Sequence, residues 1–143
     1  MNYKIAVLIV LSSLLLMGSV SAAKNISYFE NSTNVTFEGL NFTIPAGFGV
    51  AKDPANYDKL GSEGKTCYYA DEDNGTIEIT VISDWMGMSL DELETNNSKK
   101  ASINGHQGWR YAENNLHYFG YICKDKGVIV GVTNQSRLSD IIR

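Results

Sequence analysis

Residues 109–133 read WRYAENNLHYFGYICKDKGVIVGVT, and this stretch decides the fold. It holds three apolar, aromatic and β-branched runs separated by two turn signals. From Leu116 to Cys123, Leu, Tyr, Gly and Ile fall on one side of an extended chain, and His, Phe, Tyr and Cys on the other. From Val128 to Thr133 three valines fall on one side, and Ile129, Gly131 and Thr133 on the other. A strand wetted on one face would alternate apolar with polar residues. Here both faces are largely apolar, which predicts central strands with cover on each side. Asp125-Lys126-Gly127 is the predicted connecting turn, with Gly127 supplying a positive φ. Asn114-Asn115 is the turn before it, because Asn tolerates the left-handed region.

Toward the N-terminus the same signals repeat. Thr66–Ala70 and Thr76–Ser83 form a second predicted hairpin around Asp71-Glu72-Asp73-Asn74-Gly75, ending in Asn-Gly. Ile77, Ile79 and Val81 line one face of its second strand, Glu78 and Thr80 the other. The acidic turn lacks calcium-loop spacing: the Gly falls too early, and Ile82 stands where a bidentate Glu belongs. In residues 35–45, VTFEGLNFTIP, the apolar parity switches at Glu38-Gly39, which predicts a tight turn or bulge. Asp53-Pro54, with Tyr57, Leu60 and Gly61 following, predicts a short helix: N-cap, Pro at the first helical position, Gly past the end. Ser89 and Glu92 make a capping box, and Met88 with Leu93 a hydrophobic staple, so a second short helix is expected there. Ala101–Asn104 starts another strand, and Gly105 and Gly108 frame a turn holding His106 and Gln107. Leu138, Ile141 and Ile142 stand at helical spacing and predict a terminal helix packed on the sheet. The sum predicts an α+β domain over residues 35–143: a twisted antiparallel sheet of about six strands with short helices packed on it.

The 143 residues include 12 Lys or Arg and 16 Asp or Glu, a net charge of −4. Residues 1–23 have the form of a signal peptide: Lys4, an apolar run from Ile5 to Met17, then small residues offering cleavage after Ala22 or Ala23. The apolar run is shorter than the roughly 20 residues of a bilayer span. Contact with a membrane is therefore expected only if this segment stays uncleaved and anchors the chain. Residues 24–34 are polar and aperiodic and read as a flexible lead. Without Lys4 the mature charge is −5 (11 basic, 16 acidic), with no basic cluster, so nucleic acid is not an expected partner. The expected address is secreted or cell-surface.

An exported chain with two cysteines, Cys67 and Cys123, predicts one disulfide, which would stabilise by about 4 kcal/mol through so long a loop. Two buried free thiols are the alternative. Seven Asn-x-Ser/Thr sequons begin at Asn25, Asn31, Asn34, Asn41, Asn74, Asn96 and Asn134, where 13 Asn in this composition would give about two by chance. They are candidate glycosylation sites. Asn41 stands apart because it falls inside a predicted strand.

No catalytic, cofactor or metal site is read from the sequence. His106 lies in a predicted turn and His117 in a strand; no Ser sits in a GxSxG elbow, and no CxxC or paired His has zinc spacing. Trp85, Met86 and Met88 form the best candidate contact patch for a partner.

Phe42-Thr43-Ile44-Pro45-Ala46-Gly47-Phe48, the strand Ile77–Val81, the segment Ser89–Leu93 and Ile103-Asn104-Gly105-His106 together resemble the PsbP-like fold. The chain is also similar to small exported proteins of unknown function from methanogenic archaea. The resemblance implies an assembly or binding module rather than a shared catalytic apparatus. The functional expectation is an exported, non-catalytic module that binds a cell-envelope or extracellular protein. The alternatives are a small extracytoplasmic hydrolase and a glycosylated structural surface protein.

Overall fold

The strands predicted at 109–133 lie inside a larger sheet, and one of them is its middle strand. In the computed structural model, which describes residues 25–59, 62–83 and 89–143, the strands are β1 (Thr33–Phe37), β2 (Leu40–Ile44), β3 (Gly49–Lys59), β4 (Ser62–Ala70), β5 (Thr76–Ile82), β6 (Lys99–Ile103), β7 (His106–Glu113), β8 (Leu116–Cys123) and β9 (Lys126–Val132). Seven of them form one antiparallel sheet in the order β3-β4-β5-β9-β8-β7-β6, and β1 and β2 form a separate ribbon. Strand β9 holds the centre, which explains why both of its faces are apolar.

This architecture corrects the α+β expectation. The described helical segments are a 3-10 turn at Leu90–Leu93, another at Gln135–Arg137, and the single-turn α1 (Leu138–Ile141). The layer over the first face of the sheet is mainly a β-ribbon. Leu40, Phe42 and Ile44 of β2 pack with Cys67, Tyr69, Ile77, Ile79, Val81, Phe119 and Val128, Val130 and Val132, and Leu138, Ile141 and Ile142 close the cluster. The predicted terminal hydrophobic trio is thus buried, but the helix has only one turn: Leu138 and Ile141 lie on α1, and Ile142 follows it in extended conformation. Glu38 and Gly39 form the ribbon turn at φ 48° and 79°, where the parity switch placed it. That turn is tied to the sheet by Lys65 (3.0 Å from Glu38 Oε1) and by Lys126, which donates to the Glu38 carbonyl.

Four local expectations change. The segment from Asp53 is strand β3 as far as Lys59, not a helix. It is an edge strand paired only with β4, and its register shifts between Val50 and Lys52 and again between Lys52 and Ala55. An irregular edge tolerates Pro54, which has no N–H to give a ladder. The β8–β9 turn is Lys124-Asp125, at φ 49° and 59°, so Gly127 already lies in β9. His106 and Gln107 belong to β7, and the turn is Asn104-Gly105, at φ 50° and 85°. Part of the lead is docked: Tyr28 bridges to Gly49, Phe29 exchanges backbone bonds with Phe48 and Gly47 (2.8 Å each), and its ring lies 6.4 Å from that of Tyr69. The Asn114-Asn115 turn, at φ 50° and 64°, is as expected. At Ser89, the backbone N–H donates to Glu92 Oε1 (3.3 Å), yet the helix it starts runs four residues only.

Candidate functional site

Two polar features stand out on this frame, one open and one closed. The open one is a cleft of about 410 Å³ where the ribbon, α1 and the β6–β7 turn meet. Its polar lining comes from Ser32, Thr43, Asn104, Arg137, Ser139, Asp140 and Arg143. The turn positions its floor. Asn104, held at positive φ, donates its Nδ2 to the Ser139 and Ile142 carbonyls, both at 2.8 Å. Ile142 also bridges to Phe42, so the chain after α1 runs alongside β2. Next to it, His106 donates from Nε2 to the Arg143 main-chain oxygen at 2.7 Å, its ring 4.7 Å from that of Tyr121.

The two arginines of the cleft differ. Arg137 is 3.3 Å from Asp140 one turn on, and both are about half exposed (45% and 52%), so the pair contributes little. Arg143 donates to Thr43 Oγ1 and, at 2.9 Å, to Asn34 Oδ1. Both acceptors are neutral. They orient the guanidinium without cancelling its charge, which suits it to a carboxylate or another anionic group.

The closed feature crosses the second face of the sheet. The register aligns Lys52, Tyr68, Glu78, Gly131, Tyr118 and Tyr111 in one row over six strands. Glu78 is 3% exposed. Burial pushes its carboxyl up to about 7, and the attraction of Lys52 offsets only part of that. Lys52 Nζ sits 3.7 Å from the centroid of the Tyr68 ring. Burial, reinforced by the Glu78 charge, raises the Tyr68 phenol to about 12, and the Tyr118 phenol is raised by the same two causes. Among the described residues, neither Glu78 Oε2 nor the Tyr118 hydroxyl has a hydrogen-bond partner. Gly131 makes room for the Tyr118 ring: a Cβ there would lie 2.5 Å from Cε1. Beside the row, the hydroxyls of Thr66 and Thr80 meet at 2.9 Å. One acid with a near-neutral pKa is suited to proton transfer, but here it lies under aromatic rings rather than on an open surface.

The residues singled out in the sequence fall as follows. Cys67 and Cys123 are both free thiols, which corrects the disulfide expectation. Cys67 aligns across β5 and β9 with Phe119, and Cys123 lies four residues further along β8. Three strand spacings and four residue rises put the two Cα atoms about 19 Å apart, against the roughly 7 Å limit for a bond. Burial raises the Cys67 thiol to about 11. The acidic turn is closed by Asp71, whose Oδ1 accepts from the Asp73 and Gly75 N–H groups at 2.9 and 2.6 Å. Among the described residues no group of three His, Cys, Asp or Glu is placed to hold a metal ion. His117 stands opposite Val132 and Ala112, away from His106 on β7. All seven sequon asparagines are exposed, including Asn41, which lies in β2 but on its outer side. Trp85, Met86 and Met88, Ala22 and Ala23, and the rest of the signal-like segment lie outside the described residues.

The sequence reading missed Glu78, Asn104 and Arg143. For Glu78 a signal existed: if β8 and β9 are covered on both faces, a neighbouring strand shares that cover. No comparable local signal marks Asn104 or Arg143, which meet only through the fold.

No family model matches the chain, and no curated protein and no solved structure is significantly similar to it.

Proposed function

We propose that this chain is an exported, non-catalytic binding module that engages an anionic group of a cell-envelope or extracellular partner at the cleft between the ribbon and α1. The observation that carries this reading is Arg143, whose guanidinium is oriented at the cleft by two neutral oxygens and keeps its charge for a ligand. The hydroxyl and amide side chains around it offer hydrogen bonds of both kinds. The signal-like N-terminus and the seven exposed sequons support an extracytoplasmic address. Cosedimentation of the purified mature protein with cell-envelope material of the source organism tests the reading. Saturable binding, weakened about tenfold by Arg143→Gln and by raised salt, is the expected result. Equal binding by the variant, or none by either protein, would remove the cleft from consideration.

A further inference from the structure

Two sequons lie side by side in the ribbon. Asn34-Val35-Thr36 is in β1 and Asn41-Phe42-Thr43 in β2, and the antiparallel register sets Asn34 opposite Thr43 and Thr36 opposite Asn41. Each Asn therefore faces the threonine of the other sequon. The side chains interlock: Thr36 Oγ1 donates to Asn41 Oδ1 at 2.9 Å, and Thr43 Oγ1 donates to Asn34 Oδ1 at 3.1 Å. Arg143 adds a second bond to Asn34 Oδ1. In both asparagines the oxygen is held inside this ladder, and among the described residues neither Nδ2 donates a hydrogen bond. Asn104, which belongs to no sequon, does the reverse and spends its Nδ2 on two carbonyls.

A polar ladder on an exposed ribbon would account for Asn and Thr by themselves. It does not account for their arrangement as two complete sequons within a chain that carries seven, all exposed. Nδ2 is the atom that takes a sugar. We infer that Asn34 and Asn41 form a paired N-glycan site on the outer face of the ribbon, loaded before the ribbon closes. The donor is an oligosaccharide on a lipid phosphate. In the transfer the bond from sugar C1 to the phosphate oxygen breaks and the lipid phosphate leaves with its electrons. A bond from C1 to Nδ2 forms, and Nδ2 gives up one proton to a base of the transferase. The modified amide keeps Oδ1 and one N–H, so both ladder bonds survive in the folded glycoprotein.

The order of events follows from the threonines. The sequon requires a hydroxyl two residues after the Asn, and in the closed ribbon each of these hydroxyls is committed to the other sequon's amide. Asn74 is the internal control: it is exposed in the β4–β5 turn, at φ 64°, outside any such ladder.

The inference rests on the export reading, and the test separates the two. Mass spectrometry of the native protein gives the first residue of the mature chain independently of any sugar. Trypsin releases residues 25–52 as one peptide, and electron-transfer fragmentation locates glycans within it. Glycans on both Asn34 and Asn41 of the same peptide are expected. A processed N-terminus with either residue bare on every molecule would overturn the paired site and leave export standing. Unmodified recombinant protein, folded or urea-unfolded and diluted, is then offered to membranes of the source organism with their lipid-linked donor. Modification at Asn34 and Asn41 should be at least about tenfold slower in the folded chain, with Asn74 changing by less than about threefold. Equal rates at Asn34 and Asn41 in the two states would overturn the stated order.

Discussion

The two faces of the seven-stranded sheet solve the same burial problem with different chemistry. Under the ribbon, Ile77, Ile79, Val81, Val128, Val130, Val132 and Phe119 make an almost wholly aliphatic and aromatic layer. On the opposite face, Ile82, Leu93, Trp109, Leu116 and Ile129 share the layer with Tyr111 and Tyr118, and the buried Glu78, Thr66 and Thr80 lie beside them. The first face buries the Cys67 thiol and the Tyr69 and Tyr121 side chains but no carboxyl. The second holds a carboxyl oxygen and a phenol that make no hydrogen bond with a described residue, a state that opposes folding. Stability in this protein is therefore expected to be concentrated under the ribbon, and sensitivity to pH on the face that bears Glu78.

The largest expected effect breaks the first face. Ile79 is fully buried at the centre of its cluster, and Ile79→Ala should cost about 4 kcal/mol in urea unfolding, with little dependence on pH. Glu78→Gln should act in the opposite direction. The folded carboxyl titrates near 7 and the unfolded one near 4.5. Below both values the acid is neutral in both states and contributes no pH dependence. As pH rises through that interval the unfolded chain ionises first, so stability falls, and above it the loss is complete. Glu78→Gln should therefore stabilise by at most about 3 kcal/mol at pH 8 and remove most of the slope between pH 4 and 8. A stability curve unchanged by the substitution would show that the two faces do not differ in this way.

Gly131 tests how tightly the second face is packed. A Cβ would meet the Tyr118 ring at 2.5 Å, and Gly131→Ala should cost about 2 kcal/mol in the same assay. The smallest effect belongs to the threonine pair. Thr66→Val leaves the Thr80 hydroxyl buried without its partner and should cost about 1 kcal/mol, while the Thr66→Val, Thr80→Val double variant should return close to wild type. Additive losses in the double variant would mean that the hydroxyls act independently.

Much of the fold was legible because strand periodicity is local. The alternation at Ile77, Ile79 and Val81 and the two-sided apolar runs of β8 and β9 are properties of consecutive residues, and the structure has them where the pattern put them. Residues 53–61 misled for the complementary reason. Asp53-Pro54 and Gly61 are helix punctuation, but few apolar residues between them sustain a helical face, and pairing with β4 prevailed as far as Lys59, Leu60 and Gly61 lying outside the described residues. The cysteines show a related limit. Their number and the signal-like segment suggested a bond, whereas two strands, β5 and β9, lie between them. The cleft was invisible because Thr43, Asn104 and Arg143 come from three separate parts of the chain.

The sequence by itself determined which residues share a face, where most of the turns fall, and which asparagines lie in sequons, since each depends on neighbours within a few positions. Only the tertiary structure decided that Glu78 lines up with Lys52, Tyr68 and Tyr118 across the register, that two sequons interlock, and that Arg143 meets neutral oxygens rather than an acid. Alternation assigns a side chain to one side of a strand, but what covers that side, and what faces it across the register, is set by contacts remote in the chain.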